Sequence, residues 1–96
     1  PTSSAYLAYS DTTPDAVFVK SGDGVLQGFS TGCQATFKCF DLPKESCAPE
    51  LIFTGSPATI FIFDAAGNVP LIPADGVKFS NLCCVSRKCE AVVYYL

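Results

Sequence analysis

Six cysteines in 96 residues, two of them adjacent, constrain this chain more than any other feature: Cys33, Cys39, Cys47, Cys83, Cys84 and Cys89. An even number of cysteines in so short a chain reads as a disulfide framework, formed in an oxidising compartment. The competing reading is a zinc site, which is usually built from closely spaced cysteine pairs, often with histidine. Here successive cysteines are separated by 5, 7, 35, 0 and 4 residues, and the chain has no histidine. The thiols are therefore assigned to disulfides and not to metal.

Six cysteines allow fifteen pairings. Cys83 and Cys84 are neighbours, so on a strand they point to opposite faces and take different partners. Cys84 and Cys89 enclose Val85-Ser86-Arg87-Lys88, a short loop to close, and Cys39 and Cys47 flank the turn-rich Asp41-Leu42-Pro43-Lys44. Elimination then leaves Cys33 with Cys83. The expected set is Cys84–Cys89, Cys39–Cys47 and Cys33–Cys83.

Strand signals dominate the rest of the chain. In Ser4–Ser10, Tyr6 and Ala8 fall on one side, Leu7 and Tyr9 on the other. Ala16–Lys20 and Val25–Phe29 flank Ser21-Gly22-Asp23-Gly24, which predicts a hairpin. Cys33–Phe40 alternates as a strand with one apolar face. Glu50–Thr54, the turn Gly55-Ser56-Pro57 and Ala58–Phe63 repeat the strand–turn–strand theme, and Thr59–Phe63 is apolar on both faces, as a central strand or one under an interface would be. Asp64–Asn68 predicts a turn into an edge strand at Val69–Leu71, and Asp75-Gly76 another turn. Cys89–Leu96 is strongly β-prone. Nothing longer than a single helical turn, at Pro43–Cys47, is expected. The fold class is all-β: one domain over 1–96, an antiparallel β-sandwich or small β-barrel stapled by disulfides.

Hydrophobic residues make up 49% and charged residues 16% of the chain, enough apolar surface for a packed core. The net charge of −3 argues against nucleic acid or anionic membranes as partners, and no apolar run is long enough for a membrane span. Lack of histidine removes Ser-His and Cys-His dyads. The acids Asp23, Asp64 and Asp75 sit in turn contexts that aspartate favours for backbone bonding. A non-catalytic protein without a cofactor is expected. The opening Pro1, without an initiator methionine, fits a secreted protein whose signal peptide has been removed.

Two groups remain as candidate binding residues. Arg87, the only arginine, and Lys88 form a basic loop suited to docking or to protease inhibition. Tyr94 and Tyr95, with Tyr6 and Tyr9 if the terminal strands pair, would make an aromatic patch for an extracellular protein or glycan. Sparse charge and a β-prone last strand point to a homodimer formed through that strand's edge.

In its six cysteines, the Cys83-Cys84 doublet and its short acidic composition, the chain resembles small secreted cysteine-rich fungal proteins of the apoplastic effector and elicitor type. Hydrophobins also carry doublets, but have eight cysteines and two doublets. The effector likeness implies an extracellular protein that engages a host or cell-wall component.

Overall fold

The computed structural model describes residues 1–33, 36–53, 58–62 and 72–96. The strands are β1 (Ser3–Tyr9), β2 (Asp15–Thr31), β3 (Lys38–Phe40), β4 (Thr59–Ile62), β5 (Val77–Ser86) and β6 (Cys89–Tyr95). They form one six-stranded sheet in the order β1-β6-β2-β5-β3-β4, antiparallel at every pairing. Two 3-10 turns, Lys44–Ser46 and Pro49–Phe53, lie between β3 and β4. The all-β, antiparallel, disulfide-stapled expectation holds. A closed barrel does not form among the described residues.

β2 organises the molecule. A straight strand of 17 residues would span roughly 55 Å, yet the longest dimension of the protein is 33 Å. Register shifts at Phe18/Lys20, Ser21/Gly24 and Leu26/Gly28 mark where the ladder is interrupted, and such bulges bend a strand. Asp15–Leu26 pairs with β5, and Leu26–Thr31 pairs with β6 on the other side. The sheet thus folds over along β2 into two layers. The first contains β3, β4, β5 and most of β2; the second contains β1, β6 and the end of β2. The predicted hairpin at Ser21–Gly24 is corrected here. Gly22 does take a positive φ of 96°, but it serves a bulge within one continuous strand.

Between the layers sits the main core, with Leu7, Tyr9, Ala91 and Val93 of the second layer against Cys39, Leu82 and Cys84 of the first. The Tyr9 hydroxyl donates to the Cys84 carbonyl at 2.7 Å, joining the layers by a buried polar contact. β5 is buried on both faces. Its alternate residues Cys83 and Val85 point outward into a second cluster with Phe40 and Ile52, flanked by Leu42, Leu51 and Cys47 from the 3-10 region. This cover exists because β5 is apolar at both parities from Leu82 to Val85, which a one-sided strand could not tolerate.

The disulfides hold these covers in place, and their pairing differs from the expectation. Cys33 bonds Cys89 and Cys47 bonds Cys83; Cys39 and Cys84 face each other as thiols. The doublet argument is correct, since Cys83 points into the outer cluster and Cys84 into the main core. The short-loop pairings fail because β-pairing, not loop length, decides proximity. Cys84 lies opposite Cys39 in the β3–β5 ladder, while Cys89 begins the other layer. Four strand assignments also change, beginning with Glu50–Thr54, whose described residues belong to the 3-10 turn Pro49–Phe53. Among the described residues of Cys33–Phe40 the strand is Lys38–Phe40, because Thr36 turns back to bond the Cys33 carbonyl through both its amide and its hydroxyl. β4 ends the strand order and is not central. β6 lies between β1 and β2, so it offers no free edge. The helical turn at Lys44–Ser46 and the Asp75-Gly76 turn form as expected; the Asp64–Asn68 turn and the Val69–Leu71 strand lie outside the described residues.

Candidate functional site

The outward face of the second layer is built by strand parity. On β1, Ala5, Leu7 and Tyr9 turn inward, leaving Ser4, Tyr6 and Ala8 outside. On β6, Ala91, Val93 and Tyr95 turn inward, leaving Glu90, Val92 and Tyr94 outside. The ladder sets these residues in rows: Ser4, Tyr94 and Gly28 in one, and Tyr6, Val92 and Ser30 in the next. A third row holds Ala8 and Glu90, with Gly32 bonded to the Glu90 carbonyl through its amide. Each large side chain is flanked by small ones. A Cβ added at Gly28 or Gly32 would meet nothing within 4 Å. Among the described residues, nothing covers this face.

Tyr6 and Tyr94 rise from that floor, 62% and 39% exposed. They are diagonal neighbours, a relation that places Cβ atoms about 7–8 Å apart or less. On its other diagonal Tyr6 meets Glu90, donating its hydroxyl to Oε1 at 2.5 Å. That bond, followed by slight desolvation and the carboxylate's charge, raises the Tyr6 phenol above its ordinary pKa. The phenol proton is committed to Glu90. What the pair offers outward is therefore a ring face and carboxylate lone pairs, which accept hydrogen bonds.

The four tyrosines thus do not form one patch. Tyr6 and Tyr94 face solvent; Tyr9 is buried and Tyr95 packs against the main core. Of the predicted pair Tyr94 and Tyr95, only Tyr94 reaches the outer face, as adjacent strand residues must diverge. From sequence alone Tyr6 is only an adjunct to Tyr94 and Tyr95, and Glu90 is not among the candidate binding residues. Their signal is shared parity, since Glu90, Val92 and Tyr94 alternate along β6 with the inward set.

Arg87 and Lys88 occupy the crossing between the layers, after Ser86 and before Cys89. Both are exposed. Lys88 holds φ at 45°, a conformation uncommon for a residue with a Cβ, and its amide donates to the Asp11 carbonyl at 2.8 Å. The two basic residues border a recess of about 310 Å³ with Thr12, Thr36 and the Cys33–Cys89 bridge. Because Cys84 and Cys89 are not bonded, the presented segment is this two-residue turn and not a disulfide-closed loop.

A larger hollow of about 550 Å³ lies beside the bend of β2, bordered by Asp23, Asp41, Lys78 and Phe79. Asp41 is occupied there: its carboxylate accepts from the Ser80 amide at 3.1 Å and from the Asn81 amide at 2.8 Å. It anchors the β3–β4 connection to β5. Among the described residues, no group of three or more metal-ligating side chains converges, and no helix is long and apolar enough to cross a membrane.

Fold and site together define a small all-β, disulfide-bonded protein with one open, aromatic-bearing sheet face. No family model matches the chain, and neither a curated protein nor a solved structure matches it.

Proposed function

We propose that this protein is a secreted, non-catalytic interaction module of the effector or elicitor kind, and that the open face of β1, β6 and β2 is its contact surface for an extracellular glycan. The observation that carries the reading is the Tyr6–Glu90 pair beside Tyr94 on a floor of small residues. A sugar ring presents C–H groups on one face and hydroxyls around its rim. The C–H face stacks on an exposed aromatic ring, and the hydroxyls donate to a carboxylate with lone pairs to spare. Ser4 and Ser30 add further hydroxyl partners in the same rows. The two disulfides favour an extracellular setting.

Screening the protein against extracellular glycans tests the reading. The expected result is binding that falls at least about tenfold in both Tyr6→Ala and Tyr94→Ala, while Arg87→Ala leaves it unchanged. Binding that survives both tyrosine changes sinks this assignment.

The Arg87-Lys88 recess supports a second reading, docking to an acidic protein segment: two exposed cations border a hollow with hydroxyl-bearing walls. In the same screen, loss confined to Arg87→Ala would favour it. Self-association, if it uses a strand edge, falls to β1 or β4, the two ends of the strand order, because β6 is paired on both sides.

A further inference from the structure

Cys39 and Cys84 are fully buried and lie directly opposite each other in the antiparallel β3–β5 ladder. Their Sγ atoms are 3.0 Å apart. We propose that these two residues form a third disulfide, which ties the short strand β3 to β5 inside the main core. Three observations converge on this pairing. The sulfurs are about 1 Å from the bonded distance of 2.03–2.05 Å. Opposite positions of an antiparallel ladder hold Cα atoms about 4.5–5.5 Å apart, within the range a disulfide spans. The other four cysteines are already committed to one another, so no competing partner remains.

The bond requires a two-electron oxidant, and a low-molecular-weight disulfide supplies it. The thiolate of either cysteine attacks one sulfur of that disulfide, forming a mixed disulfide and releasing one small thiolate. The second protein thiolate then attacks the protein sulfur of the mixed disulfide and expels the other. Overall, two protein thiols become one protein disulfide, and the small disulfide is reduced to two thiols. Both sulfurs are sealed in the core, and burial pushes the Cys39 thiol well above its ordinary pKa, which keeps it from the reactive thiolate form. Exchange therefore occurs while the layers are still open, before Tyr9 and its neighbours close over Cys84.

Trypsin mapping reads the connectivity. The full chain is folded in glutathione disulfide buffer, denatured with excess iodoacetamide and digested without reduction. Cleavage after Lys38 and Lys44 isolates Cys39–Lys44, and cleavage after Lys78 and Arg87 isolates Phe79–Arg87, which holds the doublet. The expected product joins three peptides, Cys39–Lys44, Glu45–Lys78 and Phe79–Arg87, with fragmentation placing Cys39 on Cys84. The intact mass is then about 6 Da below that of the fully reduced chain. Release of Cys39–Lys44 as a carbamidomethylated peptide overturns the proposal, and so does a link from Cys39 to Cys83 or Cys47. As a control, Cys39→Ser is expected to leave one thiol that iodoacetamide modifies only after denaturation, at Cys84. Modification of no thiol in that variant also overturns the proposal.

Discussion

The two layers of this sheet are built from the same kind of strand and differ in what covers them. In the first layer β5 is sealed on both faces from Leu82 to Ser86, between the main core and the 3-10 cover. The second is sealed on one face only, and its outer side carries Tyr6, Tyr94 and Glu90 over glycine, serine and alanine. The disulfides follow the same division. Cys47–Cys83 pins a cover onto the closed layer, while Cys33–Cys89 sits at the edge of the open one, joining the loop after β2 to the start of β6.

Glycines give the sharpest way to break that contrast. Gly76 has φ of 81°, and a Cβ there would lie 2.7 Å from the Leu26 carbonyl and against Val25. Neither the backbone angle nor the neighbouring strand can yield cheaply. Gly76→Ala is expected to cost about 2–4 kcal/mol, read as a lowered denaturant midpoint. Gly28→Ala, on the open face, is expected to stay within about 0.5 kcal/mol of the parent. Equal losses in the two variants would show that the open face is covered in solution.

Tyr9 tests the joint between the layers, with a smaller effect. Burial above all, with the Asp15 carboxylate adding to it, raises its phenol far above the ordinary value. A raised folded pKa means the native state holds the proton more tightly than the unfolded chain does. Its contribution is therefore fully present below the unfolded value of about 10, and is lost as pH rises beyond it. Tyr9→Phe removes the hydroxyl that serves the Cys84 carbonyl and is expected to cost about 1–2 kcal/mol at neutral pH. The same variant flattens the fall in stability above pH 10 in denaturation series. An unchanged alkaline slope would count against the buried Tyr9 contact.

How much of this was legible in the residues depends on the range of the interaction. Parity along β1 placed Tyr6 and Ala8 opposite Leu7 and Tyr9, and that division is the one observed. The doublet's opposite faces were also legible, because they need only the pleat of a single strand. The pairings of those cysteines were not. They depend on β3 lying beside β5 and on the crossing at Arg87-Lys88, contacts between segments distant in the chain. The bend of β2 is hidden in the sequence for a related reason: Gly22-Asp23 serves a bulge as readily as a hairpin turn, and only the partner strand distinguishes them. The site was half legible. Tyr94 stands out as an aromatic on a β-prone strand, but its union with Tyr6 and Glu90 depends on the β1–β6 register.

The smallest expected effect concerns the Tyr6–Glu90 bond itself. Both groups lie on the open face, so Glu90→Gln is expected to leave the denaturation midpoint unchanged. Its consequence is electrostatic. The carboxylate holds the Tyr6 proton, and a neutral amide holds it less strongly, so the phenol should titrate back toward its usual value near 10. Tyrosinate absorbance during alkaline titration reads this shift, with Tyr6→Phe identifying which of the four transitions belongs to Tyr6. In the parent protein that transition should lie above its position in Glu90→Gln. Coincident transitions in parent and Glu90→Gln would mean the bond does not persist in solution. The face would then present a rotating tyrosine instead of a fixed ring with a carboxylate beside it, and ordering that ring would cost part of the affinity for any rigid ligand.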